Sequence, residues 1–233
     1  MLVYYDKIIN ERRKLMNNKL YSKVFGWLFI GLLITFAVGY GTNIILINNL
    51  DLAVKVFTGY WFWIIIIVEL LLAVVLSLGL RKFNSTITKL LYILYTAITG
   101  ITFSTIFMYF KMDSIIIIFL ITSLIFGVFA IIGSKLQIDL SKFGLYLFIA
   151  LIGVIVVSII NIFIGSSQLN MLVSAVSILI FTLYIGYDIR KVQQLTETDI
   201  DEDNIAVYGA FQLYLDFINI FIRLLELFGK SND

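Results

Sequence analysis

Glu69 and Asp216 are carboxylic acids set inside long apolar stretches, Asp188 stands at the end of another, and Arg81 closes the stretch that holds Glu69. A charge at the middle of a bilayer costs about 2.5–3.5 kcal/mol on insertion scales, so each asks for a partner or a water-filled cavity. Two carboxyl groups that meet in such a place cannot both ionise cheaply, so one proton is shared and the pair titrates in coupled steps. Asp188 lies in Tyr184-Ile-Gly-Tyr-Asp188-Ile-Arg190-Lys191, where Gly186 lets another backbone come close. A meeting of Asp188 with Asp216 would make a proton switch. The chain has no histidine and no cysteine, which excludes imidazole switches, thiolate metal sites, thiol nucleophiles and disulfides. Any pH response has to come from carboxyl groups.

Asp216 belongs to a longer pattern. Gln212, Asp216, Asn219, Arg223 and Glu226 follow one another at steps of four, three, four and three, which puts all five within about an 80° arc of one helix face. Such a stripe cannot be turned to lipid, and it must face the bundle interior or an aqueous path. The other faces carry Leu213, Phe217, Ile220 and Leu224 among others, apolar enough for the helix to be enclosed on all sides. The last helix is therefore expected at the centre. Arg223 and Glu226, near its end, are explained by snorkelling to the interface, and Gln212 and Asn219 also suit plain interhelical hydrogen bonding.

Other chemistries fit poorly. The acids Glu197, Asp199, Asp201, Glu202 and Asp203 invite a calcium-loop reading, but position six from Asp199 is Asn204 and position twelve is Ala210, where glycine and glutamate are needed. A solvated loop is the better reading. A retinal protein needs a lysine deep in the last span, and Lys230 lies beyond its end. A membrane metalloprotease would want histidine or cysteine ligands. Nothing indicates an enzyme or a tightly bound cofactor, and a net charge of +2 does not suggest nucleic acid.

The elements that must position these groups follow from composition. Of the 233 residues 61% are hydrophobic and 14% charged, with a mean hydropathy of +1.03, far from the roughly 45–50% apolar content of a soluble domain. Apolar runs lie at Val24–Ile47, Val56–Leu80, Leu90–Phe110, Ser114–Gly133, Phe143–Ile164, Met171–Tyr187 and Ile205–Phe228, each near the roughly 20 residues a spanning helix needs. The expected fold is all-α, a polytopic bundle of seven transmembrane helices over residues 23–233. A cytoplasmic segment, 1–22, precedes it and suits an interfacial helix. Six spans with a re-entrant final segment is the alternative. Thirteen of the 17 Lys and Arg residues fall on one side of the seven-span arrangement and four on the other; cytoplasmic connections retain positive charge, so the N-terminus is expected inside and the C-terminus outside. Gly39 and Gly41, and Gly127 with Ala130 and Ser134, suit close helix packing.

Val207-Tyr-Gly-Ala-Phe-Gln-Leu-Tyr-Leu-Asp216-Phe-Ile-Asn219-Ile-Phe221, with Leu224, Leu225 and Gly229 behind it, resembles the terminal motif of the Bax inhibitor-1 family, also called the transmembrane Bax inhibitor motif family. Thr99-Gly-Ile-Thr102, Asn161-Ile-Phe163 and Leu183-Tyr184 through Asp188 are similar to that family's third, fifth and sixth helices. The likeness runs from about residue 20 to the end and is greatest to the bacterial branch. It implies seven helices around a central last one, acting in the cell membrane as a pH-sensitive calcium leak. It also implies that Asp188 and Asp216 are the family's paired aspartates, that Arg81 is the arginine exchanging partners with them, and that Glu69 is the acid of the second helix.

On that expectation the Asp188–Asp216 pair, with Arg81 alongside, holds the cytoplasmic half of the path shut. Glu69, Asp216 and Asn219 line the ion pathway, and Asp188 and Asp216 offer transient oxygen ligands to Ca²⁺. Two rival readings use the same residues differently. One is a membrane-embedded regulator that binds another membrane protein, such as a quality-control protease, through residues 1–20. The other is a proton-coupled solute transporter with the buried acids as a relay.

Overall fold

The computed structural model describes residues 2–135 and 140–232, with side chains from 19 to 135 and from 142 to 232. Eight helices follow one another: α1 Leu2–Ile47, α2 Leu50–Thr58, α3 Tyr60–Gly79, α4 Ser85–Tyr109, α5 Met112–Lys135, α6 Leu140–Ile164, α7 Ser167–Leu195 and α8 Glu202–Phe228. All but the nine-residue α2 are long and apolar enough to cross a bilayer. The fold is all-α with seven candidate spans, and α8 runs unbroken for 27 residues, so the re-entrant alternative is set aside.

Two boundaries differ from the sequence expectation for local reasons. The apolar run from Val56 to Leu80 is divided at Gly59, whose extended backbone ends α2 and starts α3. The sixth span continues past Tyr187 to Leu195, because Asp188 and Lys191 find partners and need not mark a helix end. Polar side chains start the helices: Asn84 accepts from Ile87 N, Ser166 from Leu169 N and Asp201 from Asn204 N, each satisfying an amide the helix leaves free. The surface placement expected for residues 1–22 concerns side chains that, up to residue 18, lie outside the described residues; the backbone from Leu2 continues into α1.

α8 is the axis of the bundle. In its most apolar window 78% of residues are buried, against at most 44% in any other span, and it packs against α1, α4, α5 and α7. The outer helices carry exposed Leu70, Leu124 and Phe148, the surface that hydrocarbon solvates. Between α1, α4 and α5 a crevice of about 290 Å³ lined by Phe36, Phe107, Phe119 and Phe221 reaches α8 from the lipid side.

Close backbone approach sets the site's geometry. A β-carbon placed at Gly133 of α5 would lie 2.5 Å from the Gly186 Cα of α7, and one at Gly39 of α1 would lie 2.9 Å from the Gly100 carbonyl oxygen of α4. Gly186 and Gly39 therefore do what the sequence suggested. Gly41 and Gly127 do not, since a β-carbon at either would meet nothing within 4 Å. At the far end the chain terminus is knitted to the α4–α5 turn: Lys111 N donates to the Lys230 carbonyl and Asn232 N to that of Tyr109, both at 2.9 Å.

Candidate functional site

α7 and α8 run antiparallel and bring Asp188 and Asp216 together. The two residues are only 4% and 3% exposed, and each carboxyl group is the other's hydrogen-bond partner. Asp216 Oδ2 is buried without an N–H or O–H donor among the described residues. Tyr184 stands one turn before Asp188 on the same face of α7. The contact between Gly186 and Gly133 draws α7 inward two residues before Asp188, and Gly209 of α8 lets Val192 of α7 sit where a β-carbon would stand. Small residues thus bring the two acid-bearing backbones close.

The cation beside this pair is Lys191, three residues beyond Asp188, and not Arg81. Lys191 Nζ donates to Tyr208 Oη of α8 at 2.9 Å, and its charge acts on Asp188. Arg81 is exposed in the turn after α3, where it lines a polar surface cavity of about 450 Å³ with Thr198, Asp199, Asp201 and Asn204. It forms no ion pair among the described residues. Sequence reasoning counted Lys191 only as a cytoplasmic charge, although its spacing from Asp188 puts both on one helix face; that was the signal available. Arg81 lies in a turn, where no periodicity says which way a side chain goes.

Glu69 makes a second, separate acid site. Thr99 Oγ1 donates to its Oε1 at 2.8 Å and Thr102 Oγ1 to its Oε2 at 3.4 Å, so α3 is tied to α4. Tyr95 of α4 and Tyr214 of α8 have rings 5.9 Å apart, and the Tyr214 hydroxyl shares a 2.6 Å hydrogen bond with Thr35 of α1. Tyr214 and Asp216 are two residues apart, so they leave α8 on opposite sides. Glu69 is thereby on the α4 side of the central helix and Asp216 on the α7 side; the structure does not join them into one path. Asn219 spends its amide on the Leu215 carbonyl of its own helix at 2.7 Å. At the far end of the stripe Glu226 accepts from Ser174 of α7 at 2.7 Å and from Arg223 at 2.8 Å.

The acids before α8 are not all in a solvated loop. Glu202 and Asp203 form its first turn; Lys23 of α1 pairs with both, at 3.0 and 2.8 Å, and Lys89 of α4 reaches Asp203 at 2.7 Å. Asn204 Nδ2 donates to the Phe83 carbonyl at 2.8 Å. This clamp fixes the first turn of the central helix against α1 and α4. Among the described residues no three His, Cys, Asp or Glu side chains converge as a metal cage would require.

Comparison with known proteins gives consistent matches along the chain. The family described as "Inhibitor of apoptosis-promoting Bax1" matches residues 17–233. The inner membrane protein YbhL of Escherichia coli (strain K12) is 36% identical over 232 residues, covering 97% of this chain and 96% of that protein. An uncharacterized protein of Borreliella burgdorferi is 36% identical over 233 residues, with 98% and 99% covered. An uncharacterized membrane protein of Streptococcus pyogenes serotype M1 is 33% identical over 230 residues, with 97% and 99% covered.

Proposed function

The chain belongs to the Bax inhibitor-1 family, and from that premise we propose that it is a pH-sensitive calcium leak of the cell membrane, gated by Asp188 and Asp216. The observation that carries the reading is the mutual burial of two carboxyl groups on the central helix and its neighbour. Two carboxylates have no hydrogen to offer each other, so their bond needs a proton between them. With that proton in place α7 and α8 are held together. Its loss sets two like charges face to face in a low dielectric, which favours the open population. The freed oxygens are hard ligands suited to a passing Ca²⁺, helped by carbonyls and water, and so few acids make sites an ion can leave. Glu69, with its two threonine hydroxyls, is a second oxygen station on the other side of α8. Arg81, exposed in the closed form, is the cation free to approach the pair once α7 and α8 part. The name of the Escherichia coli relative supports placement in the inner membrane, with the basic connections on the cytoplasmic side.

The test is Ca²⁺ uptake by proteoliposomes across pH. Uptake should depend on pH in the parent and lose that dependence in Asp188→Asn and Asp216→Asn, whose amides supply a hydrogen at every pH. An unchanged pH profile in both variants would defeat the gate.

A second reading has one observation in its favour. α1 is 46 residues long whereas about 20 suffice to cross, so its first part extends beyond the span that begins at Lys19 and offers a helix to another membrane protein. Deleting residues 2–18 separates the roles: co-purification of a partner would be lost with uptake retained.

A further inference from the structure

Lys191 is held in an unusual way for a cytoplasmic lysine. Its ammonium hydrogen-bonds Tyr208 Oη at 2.9 Å and lies 5.3 Å from the centre of the Tyr208 ring and 5.8 Å from that of Tyr187. Two aromatic faces and a phenol oxygen are the components of a cation cradle. Asp188 lies three residues earlier on the same face of α7, yet Lys191 makes no ion pair within 4.0 Å among the described residues. It stands next to the aspartate and is fastened to the opposite helix.

Among the described residues, the titratable groups that act on Lys191 come from α7 and α8. α8 contributes Tyr208, and α7 contributes Asp188 and Tyr187. Arg190 points elsewhere, donating to Gln193 and acting on Tyr21 of α1. From α6 the Phe143 ring lies 6.4 Å from the Tyr187 ring, and Gly144 abuts the Tyr187 hydroxyl.

We propose that the Lys191 ammonium is a tethered cation, cradled by Tyr187 and Tyr208 beside the aspartate pair, that a permeating divalent ion must displace. The inference rests on the calcium reading above and goes beyond it by naming a built-in competitor for the ion. Asp188 attracts any cation that reaches it, and a positive charge already fastened there lowers the occupancy of a second one through direct repulsion. Because the tether is a hydrogen bond to the central helix, the competitor is released when α8 moves away from α7.

The experiment is Ca²⁺ uptake by proteoliposomes as a function of Ca²⁺ concentration at one pH, for the parent and for Lys191→Met, Lys191→Arg and Tyr208→Phe. Removing the charge should lower the half-saturating Ca²⁺ on the order of tenfold with little change in maximal flux. Tyr208→Phe, which loosens the tether and keeps the ring, should shift it the same way by about threefold, and Lys191→Arg should stay near the parent. A merely structural lysine would instead reduce maximal flux, and would do so in Lys191→Arg as well; that result, or an unmoved half-saturation in Tyr208→Phe, overturns the inference. Tyr208→Phe also decides the matter if Lys191→Met does not fold. A parent that carries no flux brings down the calcium reading and this inference together, whereas a leaking parent with Lys191→Met unchanged brings down this inference alone.

Discussion

An amide at position 188 is the smallest change that separates the hydrogen bond of the aspartate pair from its proton. The side chain introduced by Asp188→Asn would donate to Asp216 at every pH, and its insertion cost is lower than that of an acid. Thermal unfolding of detergent-purified protein should therefore fall with rising pH in the parent, as the shared proton leaves and two like charges remain, and should be nearly flat in Asp188→Asn. At alkaline pH the variant should be the more stable by about 1–3 kcal/mol, the usual cost of a buried polar group left unpaired. Both acids were legible in the sequence, Asp216 because a charge inside an apolar run stands out and Asp188 because it closes such a run. Their encounter was not legible in either helix's own pattern, since the glycine before Asp188 packs on Gly133 of α5, and only the family resemblance paired them. Lys191 left only its spacing from Asp188 as a signal and Tyr208 left none, because what defines their cradle is a contact between helices.

Helices in lipid gain little from burying apolar surface against one another, so close backbone contact has to be supplied by small residues. Gly133 and Gly186 meet backbone to backbone, and Gly133→Leu should push α5 away from α7. The expected loss is about 1–3 kcal/mol, typical of overpacking, read as a lower melting temperature in detergent. Gly127→Leu, six residues earlier on the same helix but facing open space, should change almost nothing. The clamp at the start of α8 should behave differently. Asp203 joins Lys23 and Lys89 at 2.8 and 2.7 Å, but its side chain is 39% exposed, so water and salt screen it. Asp203→Asn should cost no more than about 1 kcal/mol, and the cost should vanish in high salt. Seven runs were readable because hydrophobic length is a strong signal. Their ends were not, because a charge that finds a partner inside the bundle, like Asp188, looks the same in sequence as one that ends a helix.

The orientation of the whole molecule rests on two lines, the second building on the first, that can be tested together. The first is the bias of Lys and Arg toward the side that holds Lys82. The second is geometric: Lys230 and Asn232 hydrogen-bond the α4–α5 turn at Lys111 and Tyr109, so the C-terminal residues share a membrane face with a connection that the charge count places outside. With seven crossings, the connection after the first span, where exposed Lys55 lies, must be on that face too. The chain has no cysteine of its own, so a single introduced thiol can be read without a background. Lys55→Cys and Lys230→Cys should react with a membrane-impermeant maleimide in intact cells, and Lys82→Cys only after permeabilisation. The opposite pattern would invert the molecule and put the aspartate pair nearer the outer face. Labelling of Lys55→Cys and Lys230→Cys from different sides would mean an odd number of crossings between them, and α8 could then not span as the axis around which the acids are arranged.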